Sequence, residues 1–431
     1  MGHTHTLLSP TVIVKEALRL FKNNMVMGSN VYKGYEGEFP GTPKVAGTVQ
    51  IRKPVKFKVS KTRVRVTSTI TEQYIAMTVA TQAHVSWQFT MIDLTMTIEE
   101  YSERYIRKAA AALANQVDAD LLGLYSDIPN QVAESTGYVT PHTFMVMGKA
   151  MQRMDEEAAP PDDRVVVFNP AAHWSFANAL SNWNFKEGGE QSLRKGFLGR
   201  IANAEIFMDQ NVKTHVVGHW ATDTAAATTG RVVVHSTAAS GAGEGLPTGI
   251  GVAVSQNQMI LMQGFAQTTQ GGLHAGDTYT IAGCYAVNPM SGESTGSLRQ
   301  FVVTSDVPVC TTQCTYVDAA VYFYPDMIST GPYKTVDTVP ALGAKIWVDG
   351  GPDRSYPQNL AFHRNAFALV MVPIEKPDDV WGATETEDGV SITLVKAFDI
   401  DQYKETIRLD ILYGVKTIYP ELACRIMGAE A

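Results

Sequence analysis

The chain has 431 residues, with 35 Lys and Arg against 43 Asp and Glu for a formal net charge of −8; 45% of residues are hydrophobic and 18% charged. At roughly 150 residues per domain, this length predicts about three structural units, or one core carrying large insertions. The composition excludes a wholly disordered chain, and the mild acidity excludes a protein whose main task is gripping nucleic acid, an affinity that comes from cations neutralising phosphates.

Four cysteines, Cys284, Cys310, Cys314 and Cys424, are too few and too scattered for a secreted disulfide scaffold, so reduced thiols are expected. The opening MGHTHTLLSPTVIV has no basic start and Pro10 interrupts its apolar stretch, which argues against a signal peptide. Residues 245–276 lack Asp, Glu, Lys and Arg, yet Gly, Gln, Thr and Ser fill them, so they would not cross a bilayer. The expectation is a soluble protein made in the cytoplasm.

Val14, Ala17, Leu18, Phe21 and Met25 fall at helical spacing, with Lys15, Arg19 and Lys22 opposite, and predict an amphipathic helix over 10–27 that Gly28 ends. A glycine-rich run containing Pro40 and Pro43 follows and reads as an extended arm. No acidic residue lies between Glu38 and Glu72, while Lys44, Arg52, Lys53, Lys56, Lys58, Lys61, Arg63 and Arg65 do. Val55, Phe57 and Val59 alternate with Lys56 and Lys58, and Val64 and Val66 with Arg63 and Arg65, which predicts a basic β-hairpin. Two readings of it stand: a solvated hairpin with its charges on the open face, or an arm that reaches an acidic neighbour.

From Ile75 to Met91 the odd positions are mostly apolar and the even ones polar, so one long strand, or two in line, should bury a single face. Thr97 and Glu100 then form a capping box, and Ile98, Tyr101, Tyr105, Ala109, Ala112, Leu113, Val117, Leu121 and Leu124 continue as a helical stripe. A helix over 98–126 would be a rod roughly 40 Å long. Thr140-Pro141 should open another helix with Phe144, Met147, Met151 and Met154 inward, closed before Pro160-Pro161. Arg164–Phe168 reads as a buried strand, Asn169-Pro170 as a helix start running to about Leu180, and Ile201–Met208 as a strand, together a compact α/β unit.

Only 12 of the 126 residues from 220 to 345 are charged, against 66 of the other 305. Short apolar runs there (Arg231–Val234, Ile250–Val254, Phe301–Val303) between Gly, Ser and Thr predict an all-β inserted domain. Mixed strands return at Phe367–Ile374, Ser391–Ile400 and Glu405–Ile418, before Tyr419-Pro420-Glu421. No repeat of 20 to 50 residues is present, which removes solenoids and propellers.

No catalytic centre emerges. His215 and His219 have a zincin spacing but lack the glutamate after the first histidine, and Cys310 and Cys314 have no second pair, so no metal site and no cofactor are expected. Gly241, Gly243 and Gly245 lack the Lys-Ser/Thr that a phosphate loop needs, and Asp155, Glu156 and Glu157 read as a solvated helix end.

The order of elements, with YSERYIRKAAAALANQVDADLLGLY (101–125), DRVVVFNPAAHWSFANAL (163–180), GRIANAEIFMDQNV (199–212), AGDTYTIAGCYAVN (275–288), NLAFHRNAFALVMVPI (359–374) and IRLDILYGVKTIYPELACRI (407–426), resembles the major capsid proteins of tailed bacteriophages. More narrowly, it is similar to the coat protein family of Salmonella-type podophages, built on the Hong Kong 97 capsid fold. The resemblance implies an α+β chain divided as an N-terminal arm (1–43), an extended β-hairpin loop (44–73), a peripheral domain with the spine helix (74–135), an axial domain (136–220), an inserted β-domain (221–345) and return strands (346–431). It also implies a non-enzymatic tile of the virion, assembled in the host cytoplasm through hexamers and pentamers of itself. Its partners would be a scaffolding protein, a portal protein and packaged double-stranded DNA bound without sequence specificity; no membrane is involved. Candidate inter-subunit contacts are Arg52, Lys53, Lys56, Lys58, Lys61, Arg63 and Arg65 of the loop, with Phe21 of the first helix. An encapsulin-like nanocompartment shell and a secreted β-rich adhesin or carbohydrate-binding protein are the alternatives.

Overall fold

The computed structural model describes residues 10–35, 47–54, 57, 63, 74–90, 105–134, 140–181, 199–220, 232–236, 258–263, 265, 272–307, 319–375, 381–399 and 404–428. Strands and α-helices are numbered in chain order. The chain divides into two compact units, one made of Met1–Arg52, Tyr74–Leu122 and Phe367–Ile418, the other of Lys53–Gln73, Gly123–Ala366 and Tyr419–Ala431.

In the first unit α1 (Pro10–Asn24) buries Ile13, Val14, Ala17, Leu18 and Phe21, the stripe that the 3.6-residue period predicts. Gly28 does not end this helix. The helix stops at Asn24, and Gly28 lies inside a second, four-residue helix, α2 (Met27–Asn30). The junction is set by Asp118 of α3 (Arg107–Gly123), a carboxylate only 1% exposed. Its Oδ2 accepts the N–H of Val26 at 2.7 Å and its Oδ1 that of Gly28 at 2.8 Å. A Cβ at position 28 would stand 2.9 Å from Met25 Sδ and 3.3 Å from Asp118 Oδ1, so any larger residue there must displace the Met25 side chain and crowd the carboxylate.

The described part of α3 is 17 residues, about 25 Å at 1.5 Å per residue, shorter than the 40 Å rod expected; the Thr97 capping box lies outside the described residues. Its inner face is Ala109, Ala110, Leu113, Ala114, Val117, Leu121 and Leu122, whereas Ala112, placed in the stripe by pattern, is exposed.

The alternating run divides at Ala80. β1 (Gly47–Arg52) pairs antiparallel with β2 (Tyr74–Val79), burying Ile75, Met77 and Val79. β3 (Thr81–Thr90) instead pairs with β20 (Lys404–Thr417). β20 is the spine of this sheet. β3 lines it over Lys404–Tyr413, so β17 (Phe367–Val372), which pairs from Leu412 to Thr417, must occupy the other edge together with β19 (Val390–Asp399). β18 (Trp381–Glu387), a strand absent from the sequence reading, joins β19 through the turn Asp388-Gly389, both at positive φ. Lys22 of α1 closes on that turn, 2.5 Å from Asp388 and 3.4 Å from Glu387.

In the second unit six strands run in the order β4-β21-β16-β5-β7-β6: β4 (Gln131–Ala133), β21 (Ala423–Met427), β16 (Asn359–His363), β5 (Arg164–Phe168), β7 (Ala204–Met208) and β6 (Arg200–Ile201). All five residues of RVVVF are buried. Helices α4 (Phe144–Glu156) and α5 (Pro170–Ser181) share a core with β5, β7, β16 and β21 through Met147, Met151, Met154, Ala172 and Phe176. Asn169 Oδ1 accepts the N–H of Ala172 at 2.9 Å, so the Asn-Pro start is a true cap. The earlier helix begins at Phe144 and not at Pro141, because the Glu134 carboxylate takes the N–H groups of His142 and Thr143 (2.9 and 3.1 Å) and holds Thr143 extended. The strand expected over Ile201–Met208 is instead a hairpin, turned at Ala202 and Asn203, both at positive φ.

β8 (Thr214–Val216) and β15 (Ser355–Pro357) make a short ribbon. The low-charge stretch forms an antiparallel six-stranded sheet ordered β14-β11-β12-β13-β10-β9, from β9 (Val233–Ser236), β10 (Gln258–Gln263), β11 (Thr278–Val287), β12 (Ser294–Val303), β13 (Ala319–Tyr324) and β14 (Ile346–Val348). Tyr279, Phe301 and Phe323 cluster at its centre, with ring centroids 5.4–6.5 Å apart. Ile250–Val254 lies outside the described residues.

Removing the Asp118 carboxylate leaves two backbone donors without their charged acceptor. Asp118→Ala should lower stability by about 3 kcal/mol in urea unfolding, and Asp118→Asn, which keeps one acceptor oxygen, by less.

Candidate functional site

The basic segment leaves the paired strands at Arg52, which is exposed and whose guanidinium lies 5.8 Å from the centroid of the Tyr74 ring. Lys53 faces Asp326, a carboxyl that is 7% exposed; burial pushes it up to about 6, while a hydrogen bond at Gln258 and the Lys53 charge pull it down. Arg63 is exposed, as is Phe57 at 70%. Lys56, Lys58, Lys61 and Arg65 lie outside the described residues, as does most of the alternation that predicted the hairpin. Phe21 is a correction: it is 0% exposed and packs into the core of its own chain, because it continues the inner stripe of α1.

The second unit contains a polar seam between its two six-stranded sheets. Arg425 of β21, 0% exposed, donates from Nη1 to Gly276 O at 2.7 Å and lies with its guanidinium 6.0 Å from the Tyr125 ring. Burial pushes its pKa down to about 10 against the pull of Tyr125, Asp277, Asp349 and Cys424. Asp277 accepts from Gly218 N at 3.1 Å and His274 N at 2.7 Å, and its Oδ1 lies 2.8 Å from His215 Nε2. With Nε2 donating, His215 Nδ1 can accept from the Tyr125 hydroxyl 3.1 Å away. Gln300 of β12 acts as a substitute peptide group beside β4: its Oε1 accepts the N–H of Gln131 at 3.0 Å, and its Nε2 donates to Gln131 O at 2.8 Å. Arg153 reaches Ser297 Oγ at 3.2 Å, Arg299 pairs with Glu157, and the Tyr324 hydroxyl donates to Glu421 at 2.5 Å.

This seam accounts for the histidine pair singled out by spacing. His215 engages Asp277, whereas His219 pairs with Asp353, so the two rings serve different carboxylates. Among the described residues, no three His, Cys, Asp or Glu side chains are grouped to hold a metal ion, and no helix is long and apolar enough to cross a membrane.

The sequence model described as P22 coat protein, gene protein 5, matches residues 3–428. The chain belongs to the P22 coat protein family. The coat protein is thus a major capsid protein of a tailed bacteriophage, a virion component that self-assembles into a shell. Among solved structures, a chain of Mycobacterium phage Che8 is 14% identical with a TM-score of 0.45, over 93% of this chain and 90% of that one. The capsid of cyanophage P-SCSP1u is 9% identical with a TM-score of 0.41, over 90% and 85%. At such scores these likenesses add no argument, and the assignment rests on the family model. No curated protein matches the chain.

The coat protein's described cysteines, Cys284 and Cys424, are buried core thiols, both pushed up to about 12 by burial. They stay protonated through neutral pH and lack the thiolate that alkylation needs. Iodoacetamide at pH 8 should leave both unmodified in the folded protein and label them in urea, as read by peptide mass spectrometry.

Proposed function

We propose that the coat protein forms hexamers and pentamers of an icosahedral shell around double-stranded DNA, with the basic segment at 52–65 clasping a neighbouring copy. Membership of a coat protein family over residues 3–428 carries this reading. The first unit is then the peripheral domain, the sheet flanked by α4 and α5 the axial domain, and the antiparallel sheet of the second unit the inserted β-domain. A scaffolding protein guides assembly in the host cytoplasm, a portal protein occupies one vertex, and the subunit performs no catalysis.

The physical case is that a shell needs contacts weak enough individually to be corrected during growth and numerous enough to endure once closed. Eight cations without a carboxylate over 39–71, on a chain of net charge −8, can steer and register one subunit on another. The net negative charge also leaves packaged DNA loosely held.

Reversing Lys56, Lys58, Arg63 and Arg65 together to Glu should abolish most particle formation, seen by negative-stain electron microscopy with scaffolding protein present, while circular dichroism and monomer solubility stay unchanged. Normal particle yield from that variant would refute the clasp. Raising salt should slow assembly of the unmodified protein in the same assay, because the steering is screened.

A further inference from the structure

The polar seam carries an imbalance of charge. Two carboxylates, Asp277 and Asp349, face the fully buried guanidinium of Arg425. Asp277 is held by three partners, His215 Nε2 and the N–H groups of Gly218 and His274. Asp349, just past β14 and partly exposed, has two side-chain donors, the Thr278 hydroxyl and Gln300 Nε2, the latter at a long 3.4 Å. It is faced by Thr278 of β11, Gln300 of β12, Arg425 of β21 and, from α4, Arg153. Arg153 is shared, since its Nη1 also bonds Glu156 at 3.1 Å and Ser297 at 3.2 Å. A surplus negative charge in a mostly buried seam favours taking up a proton, and the carboxylate with the fewest donors is the one to take it.

We propose that Asp349 is the proton-accepting group of this seam, and that the antiparallel sheet docks on the α/β sheet more firmly when Asp349 is protonated. Burial pushes its carboxyl up to about 6, with Thr278, Arg425, Gln300 and Arg153 pulling the other way. The folded state binds the proton more tightly than the unfolded chain does. The stabilisation is therefore complete below the ordinary value of 3.8 and is lost as pH rises through about 6. This device is separate from the clasp and holds for the monomer whether or not that proposal survives.

The test compares full-length monomeric protein with Asp349→Asn, which mimics the protonated acid, in urea unfolding from pH 5 to 8. At pH 7.5 the variant should have an unfolding constant about tenfold smaller than the unmodified protein, a modest value chosen because Asp349 is partly exposed to water. The gap should narrow as pH falls through about 6 and be clearly smaller at pH 5 than at pH 7.5, closing fully only below 3.8. A gap independent of pH, or a variant less stable at pH 7.5, overturns the proposal. Hydrogen exchange of the unmodified protein, corrected for intrinsic rates, gives a readout that needs no substitution: amides of 276–282 and 423–427 should be better protected at pH 5.5 than at 7.5. Equal protection also overturns it. So does a pH dependence that disappears in His215→Gln yet persists in Asp349→Asn, because the proton would then belong to the imidazole.

Discussion

A guanidinium kept out of water must be met by its surroundings, and Arg425 imposes that demand on the second unit. It lies on β21, in the sheet covered by α4 and α5, yet its Nη1 donates to Gly276 O beside the antiparallel sheet. The loops before β11 and after β14 are therefore bound to bring Asp277 and Asp349 near it. Around this centre the seam is built from charged and amide groups that must meet in one geometry, as in the reciprocal pairing of Gln131 with Gln300. An apolar seam would tolerate sliding. A polar one sets a register, since a small displacement strands several buried donors at once.

The elements legible in the sequence were those whose local chemistry and burial agree. The Asn169-Pro170 cap, the RVVVF strand and the Met147, Met151, Met154 stripe all follow from short-range rules, and the structure keeps each of them. The misses have a tertiary cause. Thr140-Pro141 looks like a helix start until Glu134 claims the N–H groups beside it, and Gly28 looks like a terminator until Asp118 is seen to need its amide. β18 is only half buried and rich in Thr and Glu, so its periodicity is weak; the Asp388-Gly389 turn was the signal available.

For function the legibility was uneven. The excess of cations around 52–65 is plain in the sequence, and Arg52, Lys53 and Arg63 have solvent-facing or carboxylate-facing positions. Phe21 shows the limit of pattern reading: an aromatic on an amphipathic helix can face a partner or its own core, and only packing decides. The seam left no trace, because Arg425, Asp349 and Asp277 come from three distant parts of the chain and no local motif links them.

The make-up of the first unit has a temporal consequence. β3, near residue 80, finds its partner in β20, beyond residue 400, with most of the second unit threaded between them. On a ribosome adding about 5–20 residues per second, that gap lasts roughly 15–60 s. During this delay the nascent first segment holds an unmated strand and a helix whose inner stripe has nothing to cover it, while the 244 residues from Gly123 to Ala366 are made but still await β21 to complete their α/β sheet. Nascent copies on the same polysome are thus brought together at their most adhesive stage, and a holdase acting on the first 122 residues would be of most use there.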